Sequence, residues 1–227
     1  MLLQVLVKRK LMKKQNKNLI LCLFMLSSIT LFSQTIEKFY VGMPDVLNPV
    51  MSKKNRIELL EYHKAEQSDS VENKFGSQAY LQVYDTLNNR IVVKNTASST
   101  FEMKVFKLED MKPVIGCINS VCAPICQSSI VFYDTAWNQI PLQFTMPKAF
   151  EWVNEAKLEK LELDKVWVRN VLENTFVSLT FDSAASRIIA RNHSFEFLSE
   201  KDKKLLSPIL NDSTLNYFLS GRNWIKQ

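Results

Sequence analysis

The chain has 227 residues, and all of its formal net charge of +6 lies at its N-terminus. The first 34 residues hold six of the 29 basic side chains and none of the 23 acidic ones, so the other 23 basic residues balance the acids. Because binding to phosphate backbones depends on clustered Lys and Arg, this neutral body predicts no nucleic-acid partner.

The N-terminal segment has the order of a secretory signal peptide. From Met12, a Lys-rich stretch precedes 14 mostly apolar residues, 19–32, and the small residue Ser33 follows them. We interpret residues 1–34 as a signal peptide cleaved near its end, with residues 1–11 upstream of the true start. A retained membrane anchor is the alternative, but a stable span needs about 20 apolar residues. The mature chain is therefore expected in the periplasm, the cell envelope or outside the cell, without a stable membrane span.

The first mature segment predicts a helix-loop-helix. Residues 35–227 are expected to form one globular α+β unit, with a division into halves 40–146 and 147–227 as the alternative. The proline-punctuated stretch 43–51 predicts a short helical turn, and Ser52 then caps a second helix.

Alternating apolar residues follow at short spacings, and this pattern predicts an antiparallel β meander. The predicted strands are 81–84, 90–94, 101–106, 114–121, 129–133 and 140–144.

The C-terminal part predicts a second passage from helix to strands. Its elements are a helix over 148–157, strands over 165–172, 175–181 and 187–197, a helix that Ser199 begins and Pro208 ends, and a hairpin over 215–225. Helices and antiparallel strands are segregated along the chain, which predicts the α+β class. The layout is similar to tandem β-lactamase-inhibitor-protein-like domains, a likeness of architecture that carries no function.

One turn pattern occurs three times without gaps. An aromatic residue, an aspartate and a hydroxyl residue end a strand at Tyr84-Asp85-Thr86, Tyr133-Asp134-Thr135 and Phe181-Asp182-Ser183. Aspartate carboxylates accept hydrogen bonds from backbone N–H groups two residues on. The three acids are therefore predicted to form turns and not to act in catalysis.

Three cysteines remain after the leader: Cys117, Cys122 and Cys126. In an oxidising compartment a pair tends to form a bridge, so we expect one disulfide among the three and one buried thiol. Cys122 and Cys126 flank a hairpin connection, and a bridge from Cys117 to Cys126 is the alternative. Since no histidine is nearby, the spacing gives little support to a zinc site, and we expect no metal and no cofactor.

Linear motifs for catalysis are missing from this sequence. It has no nucleophile elbow, zinc-protease helix, P-loop or dinucleotide fingerprint, and His63 and His193 are expected to be ordinary, partly buried side chains. These observations favour a non-enzymatic protein that presents a sheet face or loops to a protein or glycan partner.

Trp137, in a predicted turn, is the candidate recognition aromatic, with packing back over the sheet as the alternative. An exported hydrolase that uses carboxylates from different strands is the alternative function.

Three sequence blocks together resemble a known family. They are Met43-Pro44-Asp45-x-Leu47-x-Pro49-x-Met51 with Asn55-Arg56, then Phe101-Glu102-Met103-Lys104, and Ser129-x-Val131-Phe132-Tyr133-Asp134-x-x-Trp137. The blocks are similar to a Bacteroidetes-restricted family of exported proteins known as domain of unknown function 3256. The similarity is good over residues 40–150 and loose beyond them, and Val46 stands where that family is expected to have serine. The resemblance implies export and brings no catalytic residues.

Five aspartates precede a hydroxyl residue in triplets that resemble the O-glycosylation signal of exported Bacteroidetes proteins. The candidate acceptors are Ser70, Thr86, Thr135, Ser183 and Ser213. Turn formation explains Thr86, Thr135 and Ser183 equally well, so both interpretations stay open for them.

Overall fold

Two antiparallel sheets and five α-helices make up the described part of the protein, which confirms the α+β class. The computed structural model describes residues 35–108, 112–142, 144–211 and 214–227. The helices are α1 (Thr35–Gly42), α2 (Lys53–Lys64), α3 (Glu155–Lys160), α4 (Lys165–Val171) and α5 (Glu200–Leu206). Within those ranges no helix is long and apolar enough to cross a membrane.

The first sheet is a six-stranded meander in which each strand pairs with the next one along the chain. Its strands are β1 (Ser70–Glu72), β2 (Gln78–Asp85), β3 (Arg90–Lys94), β4 (Ser99–Lys107), β5 (Pro113–Cys122) and β6 (Cys126–Tyr133). The predicted meander is confirmed, with the short strand β1 added at one edge.

Alternation along β4 explains why this sheet is covered on both faces. Phe101, Met103 and Val105 join the core beneath α1 and α2, and Phe106 on the opposite face joins a second core with the other sheet. Successive side chains of a strand point to opposite faces of the sheet. Strand β4 can therefore contribute to both cores without being apolar at every position.

Helix α2 begins where the sequence predicts it. The Ser52 hydroxyl accepts a hydrogen bond from the Asn55 N–H at 3.2 Å, and the Asn55 side chain accepts one from the Ser52 N–H at 3.1 Å. Such a reciprocal cap satisfies two of the free N–H groups at a helix start. The helix then buries Leu59 and Leu60 against the first sheet.

The second sheet has four strands in the order β10-β9-β8-β7. They are β7 (Val177–Phe181), β8 (Arg187–Asn192), β9 (Leu215–Ser220) and β10 (Asn223–Lys226). Its inner face shares the second core with the first sheet, and a third apolar cluster joins helices α3, α4 and α5. The predicted C-terminal hairpin is confirmed.

Two predicted strands are wrong. Within 165–172, residues Lys165–Val171 form helix α4 and Leu172 is its C-cap. Asp164 caps the start through the Val166 N–H, and Val168 and Leu172, four residues apart, are both buried. Packing at helical spacing here overrides the β preference of valine. Residues 140–142 and 144 belong to no strand, and Gln139 just before them makes an isolated bridge to Tyr133.

Two further boundaries also differ from the prediction. The helix expected over 148–157 is split into a 3-10 turn, Ala149–Trp152, and helix α3, whose cap is Asn154. The strand expected over 187–197 ends at Asn192, and a 3-10 turn, Ser194–Phe197, follows it.

Candidate functional site

The three predicted turn aspartates accept backbone hydrogen bonds inside their own turns. The bonds run from Asn88 N to Asp85 at 2.9 Å, from Ala136 N to Asp134 at 2.8 Å and from Ala184 N to Asp182 at 2.9 Å. The N–H of Ala185, together with the Arg187 guanidinium, lowers the pKa of Asp182 to about 2. These carboxylates are therefore occupied in shaping turns.

The hydroxyls proposed as glycosylation acceptors differ in exposure. Thr135 and Ser183 are exposed, whereas Thr86 and Ser70 are partly buried. The Ser70 hydroxyl lies 3.1 Å from that of Ser68. Ser213 lies outside the described residues, and glycosylation stays a prediction for all five.

Trp137 does not stand out from its turn. Its ring lies 5.6 Å from that of Tyr133 and packs, partly buried, against the first core. This is the alternative that the sequence left open, and it gives Trp137 a packing role. Its φ of +67° is in the left-handed region, which bulky side chains rarely occupy.

A disulfide joins Cys122 to Cys126, and Cys117 is a free, buried thiol. The bridged residues face each other across the β5–β6 hairpin. Burial raises the pKa of the Cys117 thiol, so this side chain behaves as a small apolar residue. Among the described residues no cluster of three or more His, Cys, Asp or Glu could hold a metal ion.

Arg56 gives the first family-like block a structural role. Its fully buried guanidinium donates to the carbonyl oxygens of Met51, at 2.6 Å, and of Met43, and it pairs with Asp45 at 3.1 Å. It thereby fixes the loop between α1 and α2. Asn48, in the same loop, is also buried, and its side-chain oxygen accepts a hydrogen bond from Asn95 Nδ2 at 3.0 Å.

Strand β7 joins the two sheets through a polar seam that the sequence did not reveal. β7 is an edge strand, and side-chain oxygens of the first sheet accept hydrogen bonds from its outward N–H groups in place of another strand. The pairs are Val177 N with Gln127 Oε1, Leu179 N with Ser128 Oγ, and Phe181 N with Glu102 Oε1, each at 2.9 Å.

Buried charges complete this seam. Glu102 is 5% exposed, and it accepts hydrogen bonds from Arg90 Nε at 2.7 Å and from the Thr180 hydroxyl at 2.9 Å. Lys104 donates to the carbonyl oxygens of Asp182 and Ser183, both at 2.7 Å, and burial lowers the pKa of its ammonium group. The Glu102 carboxylate and the Lys104 ammonium group therefore both form hydrogen bonds that join the two sheets.

A polar pocket of about 260 Å³ lies at the end of β8. Its polar lining consists of Arg191, Asn192, His193, Glu196 and Asn211, and we call this set the polar pocket. Trp152 and Phe195 supply its aromatic walls. The Asn192 oxygen accepts the Ser194 N–H at 2.8 Å, but its buried Nδ2 has no acceptor among the described residues.

His193 is the centre of a hydrogen-bonded chain at this pocket. Its Nε2 lies 2.8 Å from the Ser178 hydroxyl, and its Nδ1 lies 2.9 Å from a Glu196 oxygen. The three residues come from β7, the end of β8 and the following 3-10 turn, so no linear motif could have indicated them.

Comparison with known proteins places this architecture in a family. A model of the family described as "Protein of unknown function (DUF3256)" matches residues 28–223. A solved structure, described as that of a domain of an uncharacterized protein from Porphyromonas gingivalis W83, is similar with a TM-score of 0.71 and 18% sequence identity. The similarity covers 84% of this chain and 96% of that one, and it concerns the fold alone. No curated protein matches this chain.

Proposed function

The chain belongs to the DUF3256 family of unknown function, and we propose that it is an exported protein that binds a saccharide in the polar pocket. Export is supported by the signal-like order of residues 1–34, which lie outside the described residues, and by the Cys122–Cys126 bridge. Disulfides persist mainly in oxidising compartments.

The observation that carries the proposal is the unpaired Asn192 amide in a pocket of convergent polar side chains. A buried N–H without an acceptor costs about 1–3 kcal/mol. Because the Nδ2 atom itself is buried, a ligand recovers this free energy when the Asn192 side chain shifts toward the pocket and donates to it. Saccharide hydroxyls accept and donate at once, so they suit a lining that combines amides, a guanidinium and a carboxylate.

The shape of the pocket agrees with this ligand class. A volume of about 260 Å³ is small, and the Phe195 ring offers an apolar wall to the C–H face of a sugar. Both faces of the first sheet are already covered, by helices on one side and by the second sheet on the other. Recognition is therefore assigned to a pocket of the second sheet and not to an open sheet face.

A hydrolase with two dispersed carboxylates receives less support. Glycosidic chemistry needs two carboxyl groups that face one space about 5–9.5 Å apart. Each of five cavities formed by the described residues has a single carboxylate residue in its lining.

The proposal is tested by titrating the purified protein with a panel of monosaccharides and oligosaccharides in a calorimeter. The informative variant is Asn192→Asp, which keeps the oxygen that accepts the Ser194 N–H and removes the unpaired donor. We expect binding to weaken at least about tenfold, the value of one good hydrogen bond. Asn170→Ala, on the exposed side of α4, is the control and should bind like the wild type.

Two results would contradict the proposal: no saccharide of the panel binds, or Asn192→Asp binds as well as the control. Export is checked separately by N-terminal sequencing of the native protein. A natural N-terminus before residue 33 would contradict cleavage of the leader.

A further inference from the structure

Ser178, His193 and Glu196 have the connectivity of a nucleophile, a base and a group that orients the base. The Ser178 hydroxyl lies 2.8 Å from His193 Nε2, and a Glu196 oxygen lies 2.9 Å from His193 Nδ1. Both distances are within hydrogen-bond range, and the two imidazole nitrogens face different partners. We call these three residues the relay.

The backbone holds the relay in place from several sides. The His193 N–H donates to the Phe176 carbonyl at 2.8 Å, which extends the β7–β8 ladder by one pair. The Ser194 hydroxyl accepts the Phe176 N–H, also at 2.8 Å. The His193 side chain is only 15% exposed, so its ring has little freedom to turn away.

Ser178 is on the accessible side of its strand. Its neighbours Val177 and Leu179 are buried in the second core, and alternation puts the Ser178 side chain on the opposite face. Ser178 is partly buried and does not itself line the polar pocket, and its hydroxyl adjoins the pocket through His193, which does.

The hydrogen-bond partners of the ring determine which of its two nitrogens carries the proton. A carboxylate accepts hydrogen bonds only, so Nδ1 carries the proton that points to Glu196. Nε2 is then free to accept the Ser178 hydroxyl proton. This is the arrangement in which an imidazole activates a serine for attack on an acyl carbon.

Arg191 supplies a positive charge next to this hydroxyl. It is the direct partner of Ser178 in the β7–β8 register, so the two side chains lie on the same face of the sheet. Arg191 is exposed, and its guanidinium group has no hydrogen-bond or ion-pair partner within the described ranges. A guanidinium here suits the negative oxygen that forms when an acyl carbon is attacked.

We propose that the relay hydrolyses an O-acyl ester of the saccharide that the polar pocket binds; its substrate class rests on the proposed function. The Ser178 oxygen bonds to the acyl carbon as His193 Nε2 takes its proton. The bond from the acyl carbon to the sugar oxygen breaks as His193 returns that proton to the leaving hydroxyl. Water then attacks the acyl-serine through the same base, which releases the carboxylic acid and restores Ser178.

His193 thus differs from the role that the sequence predicts for it, and His63 shows the contrast. His63 also contacts a carboxylate, Asp69, at 2.5 Å, but its other ring nitrogen has no hydroxyl partner among the described residues. The sequence treats both histidines alike, since the serine that distinguishes them is 15 residues away on another strand.

A fluorophosphonate probe tests the relay without any sugar. The probe should modify Ser178, identified by peptide mass spectrometry, and His193→Ala should slow this labelling at least about 100-fold, the lower value for a general base. His63→Ala is the matched control and should be labelled at the wild-type rate. The exposed Ser183 should stay unmodified. A wild-type protein without an adduct on Ser178, or a His193→Ala variant labelled at the wild-type rate, would overturn the relay.

Glu196 is a positioning residue, so its variant needs a second readout. Glu196→Gln should lower kcat for p-nitrophenyl acetate at least about tenfold and leave KM unchanged. An unchanged kcat would refute its part in the relay. A thermal melt of each variant separates this effect from unfolding, and His193→Gln serves as the second base variant if His193→Ala unfolds.

The labelling and titration experiments separate the two proposals. Labelling of Ser178 without saccharide binding supports the relay and refutes both the proposed function and the saccharide ester as substrate. Saccharide binding without labelling refutes the relay alone. Release of acid from an acetylated saccharide, lost in Ser178→Ala, supports both.

Discussion

Replacing Glu102 with alanine should destabilise the protein more than any other single change at the seam. Its carboxylate accepts three hydrogen bonds, from Arg90 Nε at 2.7 Å, the Phe181 N–H at 2.9 Å and the Thr180 hydroxyl at 2.9 Å. Alanine removes every one of these acceptors, and the donors stay between two packed sheets.

The expected loss follows from what each donor leaves behind. Removing one partner of a buried ion pair costs about 3–5 kcal/mol. The Arg90 side chain is 16% exposed, so water reaches it and the lower end of that range applies. An orphaned backbone N–H at Phe181 adds about 1 kcal/mol. We therefore expect the free energy of unfolding to fall by about 4 kcal/mol.

Urea unfolding of the purified protein measures this loss. With an m-value of about 2–3 kcal/mol/M, the midpoint should fall by about 1.3–2 M at unchanged m. Glu102→Gln keeps one side-chain oxygen that can accept from both Arg90 Nε and the Phe181 N–H, and its NH2 group can donate to the Thr180 hydroxyl oxygen. It should lose only about 1–2 kcal/mol.

Glu159→Ala, at an exposed position of α3, is the control and should change stability by less than about 0.5 kcal/mol. If Glu102→Ala loses less than about 1 kcal/mol, the carboxylate does not hold the two sheets together.

Three further changes test other parts of the fold. Gly116→Ala places a Cβ 2.5 Å from the Phe181 ring, so overpacking should cost about 1–3 kcal/mol in urea unfolding; unchanged stability would contradict this close contact. Asp182, with a pKa of about 2 in the fold, stabilises the protein above its ordinary pKa of about 3.9. About 1–2 kcal/mol should be lost as pH falls from 4 to 2, and Asp182→Asn should flatten that part of a stability-versus-pH curve. Arg56→Met leaves buried carbonyls without donors, so thermal melting should reveal a loss of about 3 kcal/mol or more, and a loss below 1 kcal/mol would refute the role of Arg56.

Local signals in the sequence were sufficient for much of the first sheet. The predicted strand over 90–94 coincides with β3, and Ser52 and Ser199 cap α2 and α5 as expected. The turn aspartates were also predictable. For the caps and the turns, the partners lie within a few residues, so the pattern along the chain contains the whole interaction.

Non-local packing decided the elements that the sequence predicted wrongly. Val166 and Val168 favour a strand by their own preference, but burial of Val168 and Leu172 on one side selects a helix. The same limitation hides the candidate site, because Ser178 reaches His193 only through the β7–β8 register and Glu196 reaches it through the turn that follows.

The residues that carry the family resemblance and those that form the candidate site lie in different parts of the molecule. Arg56 fixes the loop between the first two helices, and Glu102 satisfies the edge of β7. Both belong to the frame, and neither lines the polar pocket. The pocket lies at the end of β8 in the second sheet, which the family match over residues 28–223 also covers. Membership of the family therefore implies the fold, whereas the ligand and any chemistry have to be argued from the side chains around His193.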